Sequence, residues 1–162
     1  MTIAGVFATL SLMMAPAADQ STVSIQQGVL IGRADADVAA FKNIPYAAPP
    51  TAERRWRPPG AAPTWQGQRD ASTYGPLCIQ APPSGDPGVG PLPMSEDCLN
   101  LNVWRPVGTR RPAPVMVWIH GGGLVNGSGT APLYDGTTLA KRGIVVVTLN
   151  YRLERLGFFD HP

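Results

Sequence analysis

The sequence has 162 residues, 44% of them hydrophobic and 15% charged, with 13 Lys and Arg against 11 Asp and Glu. A net charge of +2 without a basic block argues against nucleic acid as the main partner, because phosphate binding needs clustered Lys and Arg. Glycine and proline supply 18 residues each, which disfavours long helices and coiled coils, and the length suits one domain or part of a larger one.

Residues 3–14 form an apolar stretch with no charged side chain, followed by Ala15, Ala17 and Ala18 before the first acid, Asp19. The stretch is shorter than the ~20 residues a spanning helix needs, so no stable membrane span is expected. It fits the core of a secretory signal with a small-residue cleavage site. Residues 1–18 are therefore expected to be a signal peptide, residues 19–162 the folded portion, and the protein secreted or periplasmic. The absence of Lys or Arg ahead of the apolar stretch departs from the usual pattern, and a mis-assigned start or a buried first helix is the alternative.

Short β-like runs follow at residues 23–25, 29–31 and 38–44, separated by Gly28 and a polar turn, and read as a small antiparallel sheet or meander. Residues 45–67 carry six prolines and two tryptophans. This segment is expected to be extended, with Trp56 and Trp65 packing it onto a surface, since flexible linkers rarely carry large aromatics. Cys78 and Cys98 bracket a loop rich in Pro and Gly. In an exported chain such a pair is expected to form a disulfide, contributing roughly 3 kcal/mol by closing a loop of about 20 residues, with two buried free thiols as the alternative. Two cysteines and two scattered histidines lack metal-ligand spacing, so no metal and no cofactor is expected.

Residues 99–104, 115–119 and 144–149 are dense apolar runs of the kind covered on both faces in an α/β sheet. Between the last two lies a helix candidate at residues 137–142. Asp135 or Thr137 can cap its start, Lys141 and Arg142 suit its last turn, and Gly143 suits the position after it. Strand, glycine loop, helix and strand make a crossover unit.

The glycine loop carries the chemistry. His120, Gly121, Gly122 and Gly123 follow directly on the run 115–119. Glycines let a ligand approach backbone N–H groups closely. Such groups, fixed in a cleft, stabilise the oxyanion of a tetrahedral intermediate by about 3–4 kcal/mol for one good donor. A strand ending in His-Gly-Gly-Gly is the oxyanion signature of lipases and esterases on the α/β-hydrolase fold.

The segment from Ser95 to Trp104, reading SEDCLNLNVW, resembles the second signature of the type-B carboxylesterases. Further ordered matches are Phe41, Ile44, Pro45, Tyr46 and Ala47 with Pro49 and Pro50; Arg55, Pro58 and Pro59; Tyr74, Gly75 and Cys78; and Asn150 to Leu153 with Leu156, Gly157 and Phe158. The resemblance implies an α/β fold, specifically the N-terminal part of an α/β-hydrolase. A small antiparallel sheet would come first, then the first strands of the central mixed sheet. It further implies Gly122 and Gly123 as oxyanion donors, Gly121 as the residue that lets the loop turn, and His120 as a shaper of the loop. Cys78 and Cys98 correspond to the family's first disulfide, and Glu96, Asp97 and Arg152 to a structural salt-bridge network. Leu124 stands where an aromatic is common, and Asn100 where Tyr is. No Trp lies between the cysteines to hold a quaternary ammonium, so small neutral carboxylic esters are favoured over choline esters.

Acyl transfer of this type needs a Ser on a G-x-S-x-G elbow, then an acid and a His, in that chain order. No serine here has that setting. Ser128, in Asn126-Gly127-Ser128-Gly129, has the wrong spacing and is expected to be a turn residue with a solvated hydroxyl. His161 comes too early to be the triad histidine. The nucleophile, acid and histidine are thus expected beyond Pro162, the remainder of the catalytic domain is needed, and these residues alone should be inactive. A non-catalytic binding or adhesion-type member of the fold is the alternative, against which the intact glycine loop weighs.

Overall fold

The structure is a computed structural model that describes residues 19–81, 87–108 and 111–159. The expected signal peptide at 1–18, together with Ser84 and His161, lies outside the described residues. Strands β1 (Asp19–Ile25), β2 (Gly28–Ala34) and β3 (Val38–Pro45) form the antiparallel meander. The β2–β3 turn is closed by the Asp35 carboxylate, which accepts from the amides of Asp37 and Val38 at 2.9 and 2.7 Å. The Pro-rich segment leads into β4 (Gln68–Asp70), parallel to β2.

A two-stranded parallel pair, β5 (Leu77–Cys78) and β6 (Met94–Ser95), frames the cysteine loop. After it come β7 (Asn100–Pro106), β8 (Val115–Ile119), helix α1 (Thr137–Ala140), β9 (Val145–Leu149) and helix α2 (Glu154–Gly157). The meander is continuous with the mixed sheet, in the order β1-β2-β3-β7-β9-β8, because β3 pairs antiparallel with β7. β8 and β9 are parallel, as a crossover requires.

Local chemistry accounts for the crossover helix. The Asp135 carboxylate accepts from the amide of Thr137 at 2.9 Å. At the other end Gly143 adopts φ +87° while its amide bonds Ala140 and that of Ile144 bonds Leu139, a left-handed stop that glycine favours. Ala140 and Leu139 bring α1 onto Trp104, Val38 and Val146. On the opposite face Leu101 and Val103 pack against Leu30, Phe41 and Ile44.

Two expectations need correction. The run 115–119 is not covered on both faces: β8 ends the sheet order with one neighbouring strand, leaving Val115, Val117 and Ile119 more than half exposed. Of the two tryptophans, only Trp65 packs, closing the β1–β2 turn with its indole N–H on the Val29 carbonyl at 2.9 Å. Trp56 is 61% exposed; its indole N–H donates to Arg155 O and the Arg55 guanidinium lies 5.6 Å from its ring centre, but it joins no core cluster of the described residues.

Candidate functional site

The glycine loop leaves the C-terminal end of β8, where the chain must turn away from the sheet edge. Positive φ falls on Gly122 (+110°), Gly123 (+60°) and Leu124 (+66°). Gly121 has no positive φ and open space where a Cβ would stand, so the turn is made one residue later than expected. At Gly122 a Cβ would lie 1.9 Å from the backbone oxygen of Asn126, so glycine there is a steric requirement.

The direction of the amides follows from how the carbonyls are held. The hydroxyl of Tyr151 donates to the His120 carbonyl at 2.8 Å. The His120 ring approaches the Gly121 carbonyl through Nδ1 at 2.8 Å, which makes Nδ1 the protonated nitrogen. The amides of Val125 and Asn126 both donate to the Gly122 carbonyl at 3.1 Å. No peptide bond among the described residues is cis, and in a trans peptide C=O and the following N–H point in opposite directions. Tying three successive carbonyls inward therefore aims the amides of Gly121, Gly122 and Gly123 outward. All three glycines are exposed, and among the described residues nothing accepts from their amides. Gly123 opens onto a groove of about 580 Å³ shared with Leu124, Val125, Phe158 and Phe159.

His120 itself is 3% exposed and stacks on Tyr151, with ring centroids 4.3 Å apart and planes 12° from parallel. Burial lowers its pKa below the ordinary histidine value, partly opposed by the contact with the Gly121 carbonyl. Its Nε2 is buried without a hydrogen-bond partner among the described residues. The ring is thus a neutral strut.

A buried polar network, which the sequence reading missed, supports the return leg of the loop. Asn102 donates to Gly129 O at 3.3 Å and to Thr148 Oγ1 at 3.0 Å, while its own oxygen accepts from the Asn43 amide. Asn150 accepts from the amide of Gly129 at 2.8 Å and donates to Pro76 O at 3.1 Å. Ser128 is fully buried, bonded to Val89 O and Thr130, which corrects the expected solvated hydroxyl. Asn100 and Asn102 of β7, Thr148 of β9 and Asn150 just after β9 lie at the end of these strands away from Trp104 and Val146. The available signal was their alternation with apolar neighbours.

Cys78 and Cys98 form the disulfide, with Cα atoms 5.0 Å apart. Glu96 is held by a two-point ion pair with Arg55 at 2.7 and 2.8 Å, which keeps its carboxyl below the usual range. Asp97 and Arg152 do not join it: among the described residues Arg152 donates to the Arg57 carbonyl instead, and Asp97 makes no ion pair. Among the described residues no three His, Cys, Asp or Glu side chains gather to hold a metal, and no helix is long and apolar enough to cross a membrane.

Residues 19–161 match the profile of the carboxylesterase family. The chain belongs to that family. The fumonisin B1 esterase of Sphingopyxis macrogoltabida is 46% identical over 140 residues, covering 85% of this chain and 25% of that protein. The para-nitrobenzyl esterase of Bacillus subtilis (strain 168) is 44% identical over 138 residues, covering 84% and 28%. A solved thermophilic PNB esterase superposes with a TM-score of 0.80 at 42% identity, covering 86% of this chain and 29% of that one. This carboxylesterase-family chain thus spans between a quarter and a third of the length of these relatives.

Proposed function

We propose that this chain supplies the oxyanion side of a serine carboxylesterase that cleaves small neutral carboxylic esters through a tetrahedral intermediate. Gly122 and Gly123 are the donors, and His120 and Gly121 hold them in place. The observation that carries this reading is the set of outward-facing amides of Gly121, Gly122 and Gly123, unbonded among the described residues, on an exposed loop where the carbonyls of His120, Gly121 and Gly122 are tied down. Donors fixed before the reaction stabilise developing charge without reorganisation. The nucleophile, acid and histidine lie beyond Pro162 in this reading, and the remainder of the catalytic domain seats against the bare edge of β8. Export to an oxidising compartment accords with the Cys78–Cys98 disulfide.

Two measurements test the proposal. Purified as these 162 residues, the chain should not hydrolyse p-nitrophenyl acetate above the buffer rate, since it contains no G-x-S-x-G. Turnover abolished by a serine-directed phosphonate would contradict that. Residues 19–159 placed into the B. subtilis para-nitrobenzyl esterase, in exchange for the matching stretch, should give a chimera that turns over the same ester. A chimera that melts cooperatively yet is inactive overturns the oxyanion assignment and favours a binding role.

A further inference from the structure

We infer that Gln80 is a positioning residue for the glycine loop, its buried amide splinting Gly127 so that the Gly121 carbonyl, and with it the Gly122 amide, keeps its direction. The inference rests on the oxyanion reading of that loop. Gln80 lies two residues after Cys78 and is 5% exposed. Its Nε2 donates to Cys78 O at 3.1 Å and to Gly127 O at 3.0 Å, and its Oε1 accepts from the Gly127 amide at 2.8 Å. Both amide hydrogens and both polar groups of Gly127 are consumed in this clamp, so truncating the side chain orphans a buried donor and a buried acceptor.

Gly127 is the wall behind the contact that directs the loop. It adopts φ +114°, and a Cβ there would lie 2.4 Å from His120 Nδ1 and 2.6 Å from the Gly121 carbonyl oxygen. If Gly127 drifts, the Gly121 carbonyl gains room to leave the His120 ring, and the peptide that carries the Gly122 N–H rotates with it. The neighbouring residue is gripped from the same side, because Ser128 donates its amide to Gly88 O at 3.0 Å and its hydroxyl to Val89 O. The loop between the cysteines thus holds the return leg of the glycine turn at two successive residues.

The test uses the full 162-residue chain labelled with ¹⁵N and measures amide exchange and chemical shifts at Gly121, Gly122, Gly123 and Gly127. In the wild type, Gly127 should be protected while the three loop glycines exchange freely. Gln80→Ala should cut the protection of Gly127 by about tenfold or more and displace the Gly122 resonance. Unchanged protection at Gly127, or unmoved loop resonances, overturns the inference. Gln80→Glu keeps the acceptor but, when ionised, faces the Cys78 and Gly127 carbonyls with no donor; protonated, it restores both contacts to Gly127. Its Gly122 resonance should therefore return towards the wild-type position as pH falls, read as a difference from wild type at each pH to remove the titration of His120. If Gln80→Ala does not fold, this variant decides: a Gly122 shift that stays displaced at every pH overturns the inference. Slow exchange of the loop glycines in the wild type would sink the oxyanion reading while leaving the clamp intact.

Discussion

Gly121 and Gly122 are neighbours of the same type with different obligations. At Gly121 a methyl group meets nothing and no positive φ is required, whereas at Gly122 it collides with the Asn126 backbone in a conformation L residues avoid. Gly121→Ala should therefore change stability by less than about 0.5 kcal/mol. Gly122→Ala should cost upwards of about 1 kcal/mol in strain. Urea midpoints of the two variants against wild type check this, and equal midpoints would refute the assignment of the turn. His120 makes a pH prediction. Its folded pKa is lowered, so the unfolded chain binds more protons, and stability rises with pH. The contribution is complete above about 6.5 and is lost progressively below it. Asp35, Asp70 and Glu96, whose pKa values are also lowered, lose theirs only at more acid pH, within the carboxylate range. Urea midpoints between pH 7.5 and 5 should fall for the wild type and fall less for His120→Asn.

Strands and helix differ in how plainly the sequence announces them. The stop of α1 was readable from Lys141, Arg142 and Gly143, and the three dense apolar runs were readable as β7, β8 and β9, because those signals are local. β5, β6 and α2, two to four residues long and without the flanking signals that mark α1, offer no period to read and were not readable. The polar face of β7 was hidden for another reason. Asparagine in a sequence reads as a surface or turn residue, and only the register Asn102 to Thr148 makes it a core pair. The pair holds the Gly129 carbonyl, so Asn102→Ala strips the Asn43 amide of its acceptor and takes one of two donors from Gly129 O, leaving Thr148 alone to hold it. A loss of about 2–3 kcal/mol is expected from chemical denaturation, and a loss under about 0.5 kcal/mol would mean that the network adds little. The glycine loop itself was legible from four consecutive letters, but the residues aiming its amides, Tyr151 above all, lie far along the chain and carry no local mark.

For the molecule as a whole, the disulfide and the bare strand act in opposite directions. Cys78–Cys98 closes a separation of 20 residues, and its reduction should lower stability by roughly 3 kcal/mol in the chain-entropy model. Denaturation with and without dithiothreitol measures this, and coincident curves would refute it. β8, with Val115, Val117, Trp118 and Ile119 exposed along an edge without a strand partner among the described residues, offers a template for further pairing. The carbonyl anchors just past that strand have one more consequence. Tyr151 lies beyond β9, the imidazole belongs to the loop's own first residue, and the Val125 and Asn126 amides come from its far side. Damage is therefore graded instead of all-or-none: the Val125 and Asn126 amides hold their peptide plane apart from the rest, whereas Tyr151, stacked on the imidazole, loosens two planes when it is lost.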